Sequence, residues 1–264
     1  MRRRQFIALL GGAAVPFAVG AQQRDRPRSV AVVMAVGKTP EYVDAVAAFE
    51  RTLVSLGWKR GENLRIDERW SAGSDEQARL AAREIAALGP DVIIGQSVPV
   101  IEALLATTLT TPVVFLHVAD PVASGIVTNL ARPEGNVTGI TNIEPSIGGK
   151  WLQLLRDIAP ALRRAALLVR PHAYADRGAI FRDPFEVAAR SLGVTTAKGD
   201  VEDLPAVEAV MAGLASGASS GVVVAPDAFF ASHSAEIIAL AERFRLPAVY
   251  PYRYYVAEGG LMSY

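Results

Sequence analysis

Short apolar runs alternate along this chain with longer stretches whose apolar positions fall three and four residues apart. The first kind of pattern predicts buried strands and the second amphipathic helices. SVAVVMAV (29–36) reads as a buried strand. Thr39-Pro40 then supplies a hydroxyl cap and a first-turn proline for a helix. Val43, Val46, Ala47, Phe49, Leu53, Val54 and Leu56 line that helix on one side, and Gly57 ends it. Strands are predicted at 64–70 (LRIDERW), 91–95 (DVIIG), 112–118 (PVVFLHV) and 136–141 (NVTGIT), with helices at 79–88 and 100–107.

The alternation then begins again. Helices are predicted at 150–158, 184–192, 207–214 and 236–244. Strands are predicted at 165–169 (AALLV), 194–199 (VTTAKG), 221–225 (GVVVA) and 247–252 (PAVYPY). Strands separated by helices of this length imply parallel sheets with right-handed crossovers. The expected fold is therefore α/β, with two doubly wound parallel-sheet lobes, at 29–141 and 150–264. They meet at NIEPSIGG (142–149), which has turn formers and no apolar period and reads as a hinge or crossover. The halves share a layout rather than a sequence repeat.

The first residues, MRRRQFIALLGGAAVPFAVGAQQ, do not fit either lobe. The apolar run at 6–19 is shorter than the roughly 20 residues needed to span a bilayer. A basic start, a short apolar middle and small residues at the exit predict a signal peptide over 1–21, cleaved after Gly20 or Ala21. Arg3-Arg4-Gln5-Phe6-Ile7 also resembles a twin-arginine export signal. The expected compartment is the periplasm.

Charge narrows the partners. The full chain has 27 basic and 27 acidic residues; the leader removes three arginines and no acid, leaving 24 against 27. A mildly acidic chain without clustered positive charge argues against nucleic acid. Cysteine is absent, so there is no disulfide, thiolate metal site or lipidated cysteine.

Enzyme motifs are weak. Gly37-Lys38-Thr39 looks like the end of a P-loop, but Val32 stands where its first glycine is required. Gly217-Ala218-Ser219-Ser220-Gly221 has the letters of a nucleophile elbow. It follows a predicted helix and opens a strand, the reverse of the required order. The histidines, His117, His172 and His233, show no metal-ligand spacing.

The loops after the strands are more informative, because ligands of open parallel sheets sit beyond the strands' carboxyl ends. Gly95-Gln96-Ser97 and the loop from His117 through Ala119 to Pro121 stand there in lobe one. Lobe two offers Arg170-Pro171-His172, Asp227 with Phe229 and Phe230, and Tyr250-Pro251-Tyr252. Ser97 reads as a helix cap whose hydroxyl and neighbouring N–H groups suit a carboxylate. Asp227 suits an ammonium, and the aromatics suit an apolar tail. Simpler readings stand beside these: Ser97 and Asp227 as plain helix caps, His117 as a hydrogen-bonded residue near the core. The four tyrosines at 250, 252, 254 and 255 cannot all face one pocket, because neighbours on a strand alternate sides.

Several stretches carry a family resemblance: the arginine-rich leader with Leu9-Leu10-Gly11-Gly12-Ala13-Ala14, then Asp91-Val92-Ile93-Ile94-Gly95 and Asp120-Pro121-Val122-Ala123-Ser124-Gly125. The most specific is Ala131-Arg132-Pro133-Glu134-Gly135-Asn136-Val137-Thr138-Gly139. Leu246-Pro247-Ala248-Val249-Tyr250-Pro251 and Gly259-Gly260-Leu261-Met262-Ser263-Tyr264 complete the set. In these the chain resembles the ABC-transporter substrate-binding proteins of the type I periplasmic-binding fold, in the branch that includes tryptophan and tyrosine binders.

The resemblance implies a hinged receptor that closes over a small ligand and delivers it to a membrane permease. Carried over by position, Ser97 with the neighbouring Gln96, His117 and Ala119 hold the ligand from lobe one, and Asp227 and Tyr250 from lobe two. Gln96-Ser97-Val98-Pro99 replaces the small Gly-Thr-Pro-like turn of many members. Relatives continue past Tyr264 with a further crossing, a strand and a helix, so lobe two is expected to be shortened. The expectation is a monomeric, non-enzymatic receptor for an amino acid or related carboxylate with an apolar or aromatic side chain. It needs no metal or cofactor. The alternatives are an exported α/β hydrolase and a sensing module for a membrane receptor.

Overall fold

The computed structural model describes residues 26–264 apart from positions 134, 142, 143, 145, 175 and 218. The predicted signal peptide lies outside the described residues. The first half runs β1 (Arg28–Met34), α1 (Pro40–Ser55), β2 (Leu64–Trp70), α2 (Asp75–Leu88), β3 (Val92–Gln96), α3 (Val98–Leu105), β4 (Val113–Leu116) and β5 (Val137–Ile140). The second runs α4 (Ile147–Ile158), β6 (Arg164–Leu168), α5 (Ala179–Leu192), β7 (Thr195–Ala197), α6 (Leu204–Ala215), β8 (Ser220–Val224), α7 (Ala228–Ser232), α8 (Ser234–Arg243), β9 (Ala248–Tyr250), α9 (Arg253–Ala257) and β10 (Met262–Ser263). The strands form two five-stranded parallel sheets, ordered β2-β1-β3-β4-β5 and β10-β9-β8-β6-β7.

Both faces of each sheet are covered, which is why the central strands read as unbroken apolar runs. On β1, Val30, Val32 and Met34 join one core cluster and Ala31 and Val33 another. On β6, Ala166 and Leu168 point one way and Ala165 and Leu167 the other. Burying one such side chain contributes about 1.5–3 kcal/mol. One cluster spans the two lobes, joining Val32 and Tyr42 to Leu168, Val224 and Tyr254.

The helix starts depart from expectation for local reasons. α2 begins at Asp75, four residues before the predicted position, because Ser74 caps it by accepting from the Gln77 amide at 3.3 Å. Its end is as read, with Gly89 in the left-handed region at φ 58°. α5 begins at Ala179 and carries Pro184 inside it, where the sequence placed proline at the start. The Asp176 carboxylate accepts from the Gly178 and Ile180 amides and anchors this earlier start. The stretch 142–149 is partly helical, since α4 opens at Ile147. The strand predicted at 247–252 stops at Tyr250; α7 takes up part of the stretch read as a strand-end loop, and α9 follows from Arg253.

Candidate functional site

In a parallel sheet, neighbouring loops part where the strand order reverses direction. In the first sheet this point lies between β1 and β3, in the second between β6 and β8. The two points face each other across a cavity. Its walls come from beyond the carboxyl ends of seven strands: Ala35 after β1, Ser71 after β2, Ser97 after β3, His117 after β4, Arg170 after β6, Asp227 after β8 and Tyr252 after β9.

Lobe one contributes a neutral hydrogen-bond relay. The Ala35 amide donates to Gln96 Oε1 at 3.2 Å, which leaves the Gln96 amide nitrogen to face His117 Nδ1 at 3.2 Å. That nitrogen is a donor, so His117 Nδ1 must be unprotonated and its proton must sit on Nε2. Burial holds the His117 pKa below its ordinary value, in keeping with a neutral ring. Ser97 is the residue before α3, but its hydroxyl does not cap the helix. Its backbone sits at φ 74°, ψ 160°, a region that is essentially glycine's own and costs a side-chain-bearing residue about 1–3 kcal/mol. His117 is also left-handed, at φ 53°. Ser97 Oγ is buried with no hydrogen-bond partner.

Lobe two contributes charge. Asp227 caps α7, its Oδ1 accepting from the Phe229 amide at 2.7 Å and the Phe230 amide at 3.2 Å. The same oxygen accepts from Arg170 Nη1 at 3.3 Å, and both side chains are buried. Burial pushes the Asp227 carboxyl up, against the pull of Arg170 and the two amides. The Arg170 guanidinium lies 4.7 Å from the centroid of the Phe229 ring, and its Nη2 meets His172 Nε2 at 2.8 Å. Arg170 Nε has no partner. Tyr174 donates its hydroxyl to the Pro226 carbonyl.

The lobes touch around the cavity. The Gly37 amide donates to Ser232 Oγ at 3.0 Å. The His117 and Tyr252 rings stack at 6.0 Å, and Tyr42 meets Tyr254 edge-on at 5.9 Å. His172 Nε2 lies 3.6 Å from Asp75 Oδ2. Gly73, at φ 77°, lies so close that a Cβ there would be 2.7 Å from the Phe229 Cα.

Of the residues singled out from the sequence, Gln96, Ser97, His117, Ala119 and Asp227 all line this cavity. Tyr250 does not. It lies in the core at 1% exposure, its ring stacked on Tyr255 at 5.0 Å, because β9 points it inward before the chain turns. Tyr252, two residues on and past the strand, lines the cavity instead. The serine was expected to cap and the aspartate to be either a cap or a ligand contact; the aspartate is the one that caps. Arg170 was visible as a strand-end residue, but its pairing with Asp227 was not. Tyr42, Asp75 and Tyr174 gave no sequence signal. Among the described residues, no group of three or more His, Cys, Asp or Glu could hold a metal.

Two parallel-sheet lobes meeting over a cavity at their strand ends define the type I periplasmic-binding fold. Solved structures with this fold include a conserved domain protein from Vibrio cholerae O1 biovar El Tor str. N16961, with a TM-score of 0.79 and 24% identity. Another is an ABC domain in complex with L-Trp from Streptococcus pneumonia, with a TM-score of 0.78 and 21% identity. Each alignment covers 90% of this chain and 78% of the other. The family described as ABC transporter substrate binding protein matches residues 29–264, and the chain belongs to it. A tyrosine-binding protein of Clostridioides difficile (strain R20291) is 29% identical over 129 residues. That match takes in 49% of this chain and spans 37% of the relative's length.

Proposed function

We propose that this chain is a periplasmic receptor. It captures an amino acid or related carboxylate with an apolar or aromatic side chain and delivers it to an inner-membrane ABC permease. The observation that carries this reading is the cavity walled by strand ends of both sheets. A ligand held there touches both lobes only when they are closed, so it selects the closed state. The stacked His117 and Tyr252 rings, with Tyr42 and Tyr174, give the apolar body of the ligand its walls. Ser97, Arg170 and the Gln96–His117 relay supply polar contacts. The neighbour bound to L-Trp and the tyrosine-binding relative support a ligand of this size and character.

In this reading no bond of the ligand is made or broken, and selectivity comes from shape and a few fixed dipoles. The receptor works as a monomer. The test is titration calorimetry of the purified protein with L-tryptophan, L-tyrosine, L-phenylalanine, L-leucine and the corresponding apolar carboxylates. Micromolar or tighter binding with compaction in X-ray scattering is expected. Covalent capture of a serine probe, with no saturable binding of any of these compounds, would overturn the reading in favour of a hydrolase.

A further inference from the structure

We infer that His172 is a proton-operated latch between the lobes: a proton taken up at its Nε2 exchanges a bond within lobe two for one to Asp75 of lobe one, and so favours closure as the pH falls. The latch rests on the hinging of the receptor reading above and holds whatever ligand the cavity takes.

His172 sits in the short 3-10 turn Pro171–Ala173 after β6, beside the start of α2 in the other lobe. Its Nε2 is 2.8 Å from Arg170 Nη2, and its Nδ1 meets a carboxylate oxygen of Glu202. A guanidinium only donates, so here Nε2 accepts and the ring's one proton sits on Nδ1, facing Glu202. Both partners belong to lobe two. Asp75 Oδ2, from lobe one, stands 3.6 Å from the same Nε2. That is beyond hydrogen-bonding range, and an Nε2 without a proton has nothing to donate to it.

A second proton changes the partners. An Nε2–H no longer accepts from Arg170, and imidazolium and guanidinium repel. Arg170 keeps its bond to Asp227 Oδ1 at 3.3 Å. The imidazolium keeps Glu202 on Nδ1 and turns its new donor to Asp75 across the gap. Glu102 on α3 adds to the negative side of that gap: burial, and then the charge of Asp75, hold its carboxyl above the usual range. The remaining acids near the turn are engaged within lobe two. Asp200 pairs with Arg182, Asp203 caps α6, and Asp176 accepts from the Gly178 and Ile180 amides.

Opening carries Asp75 and Glu102 away and leaves Arg170 and Glu202 beside the ring. His172 therefore holds its second proton more tightly in the closed state than in the open one. By linkage, closure takes up a proton in the histidine range near pH 6.5. The bias toward closure is whole below the open-state pKa and is lost as the pH rises through the closed-state one. The His172 and Asp75 side chains are each 37% exposed, so the proton exchanges with solvent and the pair is screened. A screened pair changes the closed-to-open ratio by about two- to five-fold.

Spin labels at Arg51→Cys in lobe one and Arg190→Cys in lobe two, both exposed, report the interlobe distance with no ligand present. In the labelled parent the ratio of short- to long-distance populations is expected to be about two- to five-fold larger at pH 5.5 than at pH 8.0. Asp75→Asn and His172→Gln are each expected to remove that gain. His117 remains in both variants, so a pH effect of its own would survive them. An equal ratio at the two pH values in the parent, a single unchanging distance included, overturns the inference, and so does a gain that survives Asp75→Asn. Titration calorimetry with L-tryptophan at the same two pH values is expected to show tighter binding at pH 5.5 by a similar factor. Absence of L-tryptophan binding at both would count against the proposed ligand class, while the distances still decide the latch.

Discussion

Adding a single methyl group at Gly73 tests whether the lobes close as described. In the closed arrangement a Cβ on Gly73 would stand 2.7 Å from the Cα of Phe229 in the other lobe. That is about 0.8 Å short of the ~3.5 Å at which carbon atoms rest in contact. The obstructing atom is backbone, so no side-chain rotation relieves it, and the lobes must part. Overpacking of this kind costs about 1–3 kcal/mol, here only in the closed state, which lowers ligand affinity by about 5- to 150-fold. Gly73→Ala has a second cost, because φ at this position is 77° and a left-handed L-residue loses about 1–2 kcal/mol. That strain acts in open and closed states alike and lowers stability without touching affinity. Gly57→Ala separates the two, since Gly57 has φ 90° and nothing within 4 Å of its added Cβ. The chain has no cysteine, so spin labels at Arg79→Cys and Arg190→Cys, both exposed and on opposite lobes, report the interlobe distance cleanly. With 3-phenylpropanoate or L-phenylalanine added, the parent and Gly57→Ala are expected to gather at the short distance. Gly73→Ala keeps a long-distance population. An unchanged distribution in Gly73→Ala would refute the closed contact.

Ser97→Gly should raise stability by about 1 kcal/mol, as the φ 74° strain is relieved and glycine's chain entropy takes back part of the gain. Urea melts check this, and a stability loss would refute the strain. His117 is buried neutral, so as pH falls below about 6.5 the unfolded ring takes up a proton before the folded one does. Stability should be whole above that pH and decline below it until the folded ring also titrates. His117→Gln should flatten the decline in melts run from pH 8 to pH 5, and an unaltered slope would show that another group is responsible. Asp227→Ala removes a cap and strands a buried arginine, so a loss of about 3–5 kcal/mol is expected, with Asp227→Asn losing less. Equal and small losses in denaturant melts would mean the pair is not buried as described.

Much of the architecture is legible in the sequence, because a strand covered on both faces must be apolar throughout, as in β1 and β8. Helices of ten or more residues are legible from their period. α7 and α9, at five residues each, are too short to show one. Strand-end position is enough to draw five cavity residues from a chain without catalytic motifs, since topology alone puts those loops together. Conformation at those positions is a different matter. Nothing about a serine before a proline-containing helix announces φ 74°, and that angle is what turns Ser97 from a cap into an orphaned hydroxyl. Tyr250 fails for a related reason: one residue decides whether a side chain falls inside a strand or past its end, and the sequence places that boundary only loosely. Arg170 and Asp227 are 57 residues apart, and their pairing is a product of β6 lying beside β8.

The two lobes repeat one topology, yet they fill its reversal point with opposite chemistry. In the first, a backbone amide and Gln96 orient a neutral histidine. In the second, a buried arginine and aspartate hold each other. A buried pair of this kind adds little net stability by itself, because desolvation offsets attraction. Its effect is on geometry: the aspartate fixes the arginine at the cavity wall and balances its charge there.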